Sequence, residues 1–183
     1  MNPTVFNSTD AAYPTSLRER LGEQAPRRLI VLGKLALLSQ PKTGLFCSLR
    51  CPGNAILGAY DTARKLRDEC VTVVSGFHSP VEKECLRILL RGKQPIIICL
   101  ARSLENIRIP AEWRRALAEE RLVLISPFAK RPRRPTTESS HQRNELVAAL
   151  SDEAIIIHAE PGGSVERITK FVDRWSIPRR ELG

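Results

Sequence analysis

Val71-Thr72-Val73-Val74-Ser75-Gly76-Phe77-His78-Ser79-Pro80-Val81-Glu82 is the stretch that decides the fold class. Val71 to Ser75 is short, β-branched and almost wholly apolar, as a strand covered on both faces must be, and it stops at Gly76. A helix is announced directly behind it. Ser79 suits the N-cap, Pro80 the first helical position and Glu82 the third, which together make a capping box. Val81, Cys85, Leu86 and Leu89 then line one face until Gly92 ends the run. A buried strand that turns at once into an amphipathic helix is half of a βαβ crossover, and crossovers build parallel sheets.

The alternation extends in both directions. Upstream, Leu29 to Leu32 and Leu35 to Ser39 read as strands, the second running into the turn-rich Ser39-Gln40-Pro41-Lys42-Thr43-Gly44. A helix capped by Asn54 places Ile56, Tyr60, Ala63 and Leu66 on one face. Downstream, Pro95 to Cys99 is a strand, Pro110 opens a helix carrying Trp113 and Leu117, and Leu122 to Ile125 is the next strand. Pro127 to Arg143 has neither period and reads as a loop, Arg143 to Leu150 as a helix, and Ala154 to Ile157 as a fully apolar strand. Pro161-Gly162-Gly163-Ser164 then turns into a last helix with Val165, Ile168, Val172 and Trp175 inward. The expected fold is α/β: a single Rossmann-like domain over residues 13–176, with a mostly parallel sheet and helices on both faces. Residues 1–12 read as a flexible leader and 177–183 as a short basic tail.

The 183 residues carry 29 Lys or Arg against 20 Asp or Glu, a formal net charge of +9, which favours polyanionic partners. No apolar run approaches the ~18 residues of a membrane span, and the start lacks the pattern of a secretory signal, so a cytoplasmic location is expected. Five cysteines at 47, 51, 70, 85 and 99 are odd in number and mostly set in apolar segments, as free thiols are. Cys47 and Cys51 lack the further ligand pair of a zinc site, so neither a metal nor a cofactor is implied.

In an open parallel sheet, ligands sit beyond the carboxyl ends of the strands, where helix N-termini favour anions. Three turns are assigned there: Ser39 to Gly44 with Ser39 and Lys42, Ser75 to Ser79 with Ser75, Gly76 and His78, and Glu160 to Ser164 with Gly162, Gly163 and Ser164. Each is also an ordinary βα turn. Lys130, Arg131, Arg133 and Arg134 crowd the Pro127 to Arg143 loop, either as a solvated segment or as a phosphate-tracking one. Phe77 and Phe128 fall at strand ends where a base could stack, although core packing explains them equally well.

Ser75-Gly76-Phe77-His78 resembles the Ser-Gly turn of the DNA-processing protein A (DprA, also Smf) family. Arg143-Asn144-x-Leu146-Val147-Ala148-x-Leu150-Ser151-Asp152, with the strand up to Ala159, is similar to that family's Arg-Asn-Arg-Ile-Ile-Ala-x-Leu-Ser-Asp signature. Tyr13-Pro14-x-x-Leu17, Pro26, Leu29 and Gly33 resemble the segment before its sheet. The resemblance implies a DNA-processing protein that binds single-stranded DNA or a nucleotide at the strand ends without catalysis. Arg143 and Asn144 are among its phosphate ligands, and the resemblance further implies a recombinase partner and a homodimer. In this match Leu38-Ser39-Gln40 stands where the family has Gly-Ser-Arg or Gly-Thr-Arg. Glu145 stands for its third basic residue, and the stretch after Trp175 is shorter than its winged-helix-like domain. Pro161-Gly162-Gly163-Ser164-Val165-Glu166 is in turn similar to a shortened phosphate motif of the "lonely guy" phosphoribohydrolases. That likeness implies the alternative of an enzyme acting on nucleoside monophosphates, with Glu166 as its carboxylate. The other reading of Glu166 is a carboxylate favoured by the helix dipole.

Overall fold

The computed structural model describes residues 3–182, so residues 1, 2 and 183 of the expected leader and tail lie outside the described residues. In chain order the elements are β1 (Thr4–Asn7), α1 (Thr15–Leu21), β2 (Arg28–Leu32), β3 (Thr43–Cys47), α2 (Gly53–Asp68), β4 (Val73–Ser75) and α3 (Pro80–Leu90). There follow β5 (Ile96–Cys99), α4 (Ala111–Ala118), β6 (Leu122–Ser126), α5 (Thr137–Leu150), β7 (Glu153–His158), α6 (Ser164–Arg174) and β8 (Arg179–Glu181). All strands lie in one sheet ordered β1-β2-β6-β5-β4-β3-β7-β8. The run from β6 to β8 is parallel throughout, while β2 pairs antiparallel with both β1 and β6. From β3 the chain steps outward to β6, then returns to lay β7 on the other side of β3. That reversal opens a crevice beyond the carboxyl ends of β3 and β7.

Both faces of the sheet are covered. Leu17 of α1, Leu146 to Leu150 of α5 and Val165, Ile168 and Val172 of α6 pack on Val31, Val74, Ile97, Val123 and Ile156. Ala59 and Ala63 of α2, Val81, Cys85 and Leu89 of α3 and Leu117 of α4 pack on Leu45, Val73, Ile98, Leu124, Ile155 and Ile157. Ile155 and Ile157 thus share a face, as the two-residue period requires, and that face is closed by helices. The capping box of α3 forms as the sequence predicts, and all five cysteines are free. Burial pushes the Cys85 and Cys99 thiols up to about 12.

Five segments differ from expectation, among them the helix read as capped by Asn54, which begins at Gly53 behind Pro52 with no side-chain cap bond. Leu35–Ser39 is a 3-10 turn, and the strand is the following Thr43–Cys47. Leu35-Ala36-Leu37-Leu38 contains no β-branched residue, so its apolar run carries little strand preference. Gly44 signals a turn in the sequence, yet here it lets β3 pass close to Ser151, whose hydroxyl a Cβ would strike. α5 begins at Thr137, six residues before Arg143, because Thr136 and Ser139 form a reciprocal cap over a polar first turn. Thr4–Asn7, assigned to the flexible leader, forms an edge strand held by Phe6, which inserts into the core. Arg179–Glu181, assigned to the tail, pairs with β7.

Candidate functional site

β4 ends in Ser75, whose hydroxyl donates to the Leu45 carbonyl at 2.7 Å and accepts the Phe77 N–H at 3.2 Å. Ser75 is fully buried, so it fixes the turn and offers nothing to a ligand. Phe77 takes the left-handed backbone conformation, with φ of +45°, and buries its ring, which removes it as an open stacking platform. His78 is thereby turned outward. Glu82 does more than close the capping box: one carboxylate oxygen accepts the Cys47 N–H at 2.9 Å, and the other accepts those of His78 at 2.7 Å and Ser79 at 3.0 Å. This buried carboxylate ties the start of α3 to the end of β3 with charge-assisted bonds, and the sequence reading placed no such role on it.

Arg143 lies inside α5, where the sequence reading put a helix N-terminus, and its side chain reaches the same strand ends. It is 5% exposed. Its Nε donates to Asn144 Oδ1 at 2.7 Å and its Nη1 to the Gly76 carbonyl at 3.3 Å. Both acceptors are neutral, and no carboxylate among the described residues forms an ion pair with it. Lys42 and Arg121, equally buried, pair with Asp152 and Glu119. Burial pulls the Arg143 pKa below its usual range, opposed by the charge of Glu82. Gly76 is what admits the guanidinium, since a Cβ there would overlap Nη1, Cζ and Nε of Arg143. His78 is also held below its ordinary pKa, first by burial and then by the charges of Arg143 and Lys83, with Glu82 acting the other way.

Arg143 stands between two cavities. The larger, about 490 Å³, is lined by His78, Ser79, Glu82, Thr136, Asn144 and Ser164 together with Arg143, and it occupies the crevice at the ends of β3 and β7. The smaller, about 240 Å³, extends past β4 and β5 and shares His78, Pro135 and Arg143 with it. His78, Arg143, Asn144 and Ser164 therefore meet at one place, with Gly76 behind them.

Other candidates lie elsewhere or are already engaged. Ser39 and Lys42 precede β3, so they stand at the amino edge of the sheet, where Lys42 bonds Asp152; the misplaced strand put them at the wrong end. The residues that do follow β3 are Ser48-Leu49-Arg50, so the first carboxyl-edge loop contains an arginine after all. Arg50 is highly exposed and lies 3.6 Å from Glu160. Gly162 N–H donates to Glu166 at 2.9 Å and Gly163 N–H to the Glu160 carbonyl at 2.9 Å. A carboxylate of the chain thus holds the place at the start of α6 that a phosphate would need. Lys130, Arg131, Arg133 and Arg134 ride on an exposed or half-exposed loop after β6, anchored where Ser103 donates to the Ala129 and Pro132 carbonyls. Thr136, Ser140 and His141 also line the larger cavity and went unassigned because they were read as loop. Among the described residues, no group of three or more His, Cys, Asp or Glu is arranged to hold a metal. No helix among them is long and apolar enough to cross a membrane. What this geometry can do is bind an anion in a partly desolvated cleft beside a guanidinium that has no carboxylate in ion-pair contact.

A family model described as DNA recombination-mediator protein A matches residues 4–169. Among solved structures, the DNA processing protein A of Helicobacter pylori, described by its single-stranded DNA binding mode, superposes with a TM-score of 0.75 at 20% identity, over 98% of this chain and 80% of that one. That of Streptococcus pneumoniae gives a TM-score of 0.73 at 21% identity, over 92% of this chain, which spans 60% of the pneumococcal protein. A molybdenum cofactor binding protein from Rippkaea orientalis is similar with a TM-score of 0.54 at 11% identity, over 78% of this chain and 76% of that one. No curated protein matches the chain.

Proposed function

The chain belongs to the DNA recombination-mediator protein A family, and from that premise we propose that it is a DNA-processing protein that binds single-stranded DNA at the carboxyl edge of its sheet. The observation that carries this reading is Arg143: a nearly buried guanidinium, joined only to neutral acceptors, at the wall of a cleft. A buried charge without an ion-pair partner is costly even with Glu82 nearby, and a phosphate supplies a counter-charge in contact. His78, Asn144 and Ser164 flank that phosphate, and Arg50 with Lys130, Arg131, Arg133 and Arg134 holds neighbouring phosphates from the rim. Contacts of this kind confer affinity with little sequence preference.

Further parts of the reading extend from the family. The protein acts in the cytoplasm, self-associates as a homodimer and hands its DNA to a recombinase. Sedimentation that shows only monomer at micromolar concentration removes the homodimer. Unchanged loading of a purified recombinase on DNA removes the partner. The central test is a titration of fluorescent oligothymidylate with wild type and Arg143→Ala at several salt concentrations. The variant loses about 1–3 kcal/mol of binding and keeps its melting temperature. Wild-type affinity falls steeply with salt, and the variant's less steeply, because fewer counterions are released. Equal affinities and slopes reject Arg143 as a phosphate ligand, and no wild-type binding at low salt rejects the DNA-binding reading.

A further inference from the structure

The loop behind β3 presents a leucine to water at the mouth of the larger cavity. Leu49 is 65% exposed and lines that cavity together with Arg143. A lone exposed leucine means little in itself, and Val5 and Leu57 are comparably exposed, but neither of those lines the cavity. Leu49 also has a fixed mount. Ser48 N–H donates to the His158 carbonyl at 3.0 Å and the Ser48 hydroxyl accepts the Glu160 N–H at 2.9 Å, so the end of β7 grips the residue before it. On its other side Arg50 lies 3.6 Å from Glu160, and Cys51 packs against the core. An apolar tip is thus held out, by a loop pinned on both flanks, between the rim cation Arg50 and the buried cation Arg143.

We propose that Leu49 is a wedge: it enters between two adjacent bases of a strand whose phosphates lie on Arg143 and Arg50, and so makes the site select single strands over duplexes. The inference rests on the DNA-binding reading above and deepens it by naming the residue that sets this choice. Phosphate contacts alone cannot make the distinction, because single strands and duplexes carry the same charged groups. Leucine is among the apolar side chains that part a base step when inserted into it. A base on each side takes its exposed methyl groups out of water, which is a gain in either form of DNA. The cost is unequal. The bases of a single strand are free to splay, whereas a duplex must unstack a step that pairing holds together.

The test uses the full chain and an oligoadenylate in which 2-aminopurine replaces bases at regular intervals. Its emission is quenched while it is stacked and rises when its neighbours are parted. Anisotropy of an end-labelled copy gives the affinity, and a duplex of equal length is titrated alongside. Wild type raises the 2-aminopurine emission of the single strand at saturation. Leu49→Ser gives no rise, binds the single strand about fivefold more weakly and binds the duplex as the wild type does. Because Leu49 is mostly in water, this variant keeps the wild-type melting temperature. Leu49→Met keeps an apolar tip and retains most of the affinity and of the rise. Leu57→Ser, which removes as exposed a leucine from α2, changes neither. Single-strand affinity and emission in Leu49→Ser that match wild type overturn the wedge and spare the DNA-binding reading. An equal loss on strand and duplex, or an equal loss in Leu57→Ser, also overturns the wedge alone. Failure of the wild type to bind either form overturns both.

Discussion

Two basic side chains are buried to nearly the same degree at opposite ends of one sheet, and their surroundings differ. Lys42, at the amino ends of β3 and β7, is 7% exposed and lies 3.3 Å from the Asp152 carboxylate, which also accepts its backbone N–H. Arg143, at the carboxyl ends, is 5% exposed and has only an amide oxygen and a carbonyl. At the amino edge the Lys42 charge is thus met by a carboxylate of the chain itself. The carboxyl edge keeps a charge in reserve. Equal burial therefore hides different surroundings: one cation is joined to a carboxylate of the chain, and the other, on the reading proposed above, waits for a phosphate.

The largest effect should come from breaking the neutral edge. Asp152→Ala removes the half-exposed carboxylate that accepts both the Lys42 ammonium and its backbone N–H and is expected to cost about 2 kcal/mol of stability by urea unfolding, with DNA affinity per folded molecule unchanged. A matching loss of affinity would erase the contrast between the edges. Next, Arg143→Met removes a buried charge that lacks an ion-pair partner in favour of a side chain that packs. Its DNA affinity should fall by about 2 kcal/mol while its melting temperature stays level or rises. A clear drop in melting temperature would instead make Arg143 structural, like Lys42. Gly76→Ala is smaller in effect, because the Cβ meets the movable end of Arg143: displacement of the guanidinium should weaken binding about fivefold without loss of folding.

The smallest effect concerns pH. His78 is held below its usual range by burial and by the Arg143 and Lys83 charges, so the free folded protein takes up this proton later than the unfolded chain does. As pH falls through about 6.5, the unfolded state binds more protons at this site and stability declines. A phosphate beside the imidazole favours its charged form, so DNA affinity should move in the opposite direction. Between pH 7.5 and 5.5 the wild type gains about twofold more affinity than His78→Gln. Parallel pH profiles would remove His78 from the phosphate's surroundings.

Legibility in the sequence followed the range of the signal. The strand, stop, cap and helix face of the stretch ending at Glu82 were legible because all lie within a few residues, although the strand begins at Val73 and not at Val71. β3 was missed because Thr43 and Gly44 have the composition of a turn, and only the approach of Ser151, more than a hundred residues on, makes the glycine necessary. That single displacement moved Ser39 and Lys42 to the wrong edge and hid Arg50. The first turn of α5 was missed because its cap uses Ser139 where a Glu or Gln is the usual cue, and Arg143 consequently seemed to open the helix. Glu82 could be seen as a cap residue, but its bond to Cys47 requires the folded neighbour. Arg143 itself was singled out by motif resemblance, and no charge pattern gives its lack of a carboxylate.

The return of the chain to place β7 beside β3 has a consequence for synthesis. Every residue of Thr43–Cys47 is buried in the finished protein, yet Lys42 and Asp152, which clasp the start of that pairing, are 110 residues apart. On the ribosome β3 can pair with β4 long before β7 has emerged, and in that interval it is a bare apolar edge, the kind of surface that invites mispairing with another nascent chain. The larger cavity keeps the same schedule, because its walls run from Phe46 to Val165. β7 seals the open edge and α6, directly behind it, brings Ser164 and Val165 to the wall, so the edge closes and the cavity is completed within one short stretch of chain.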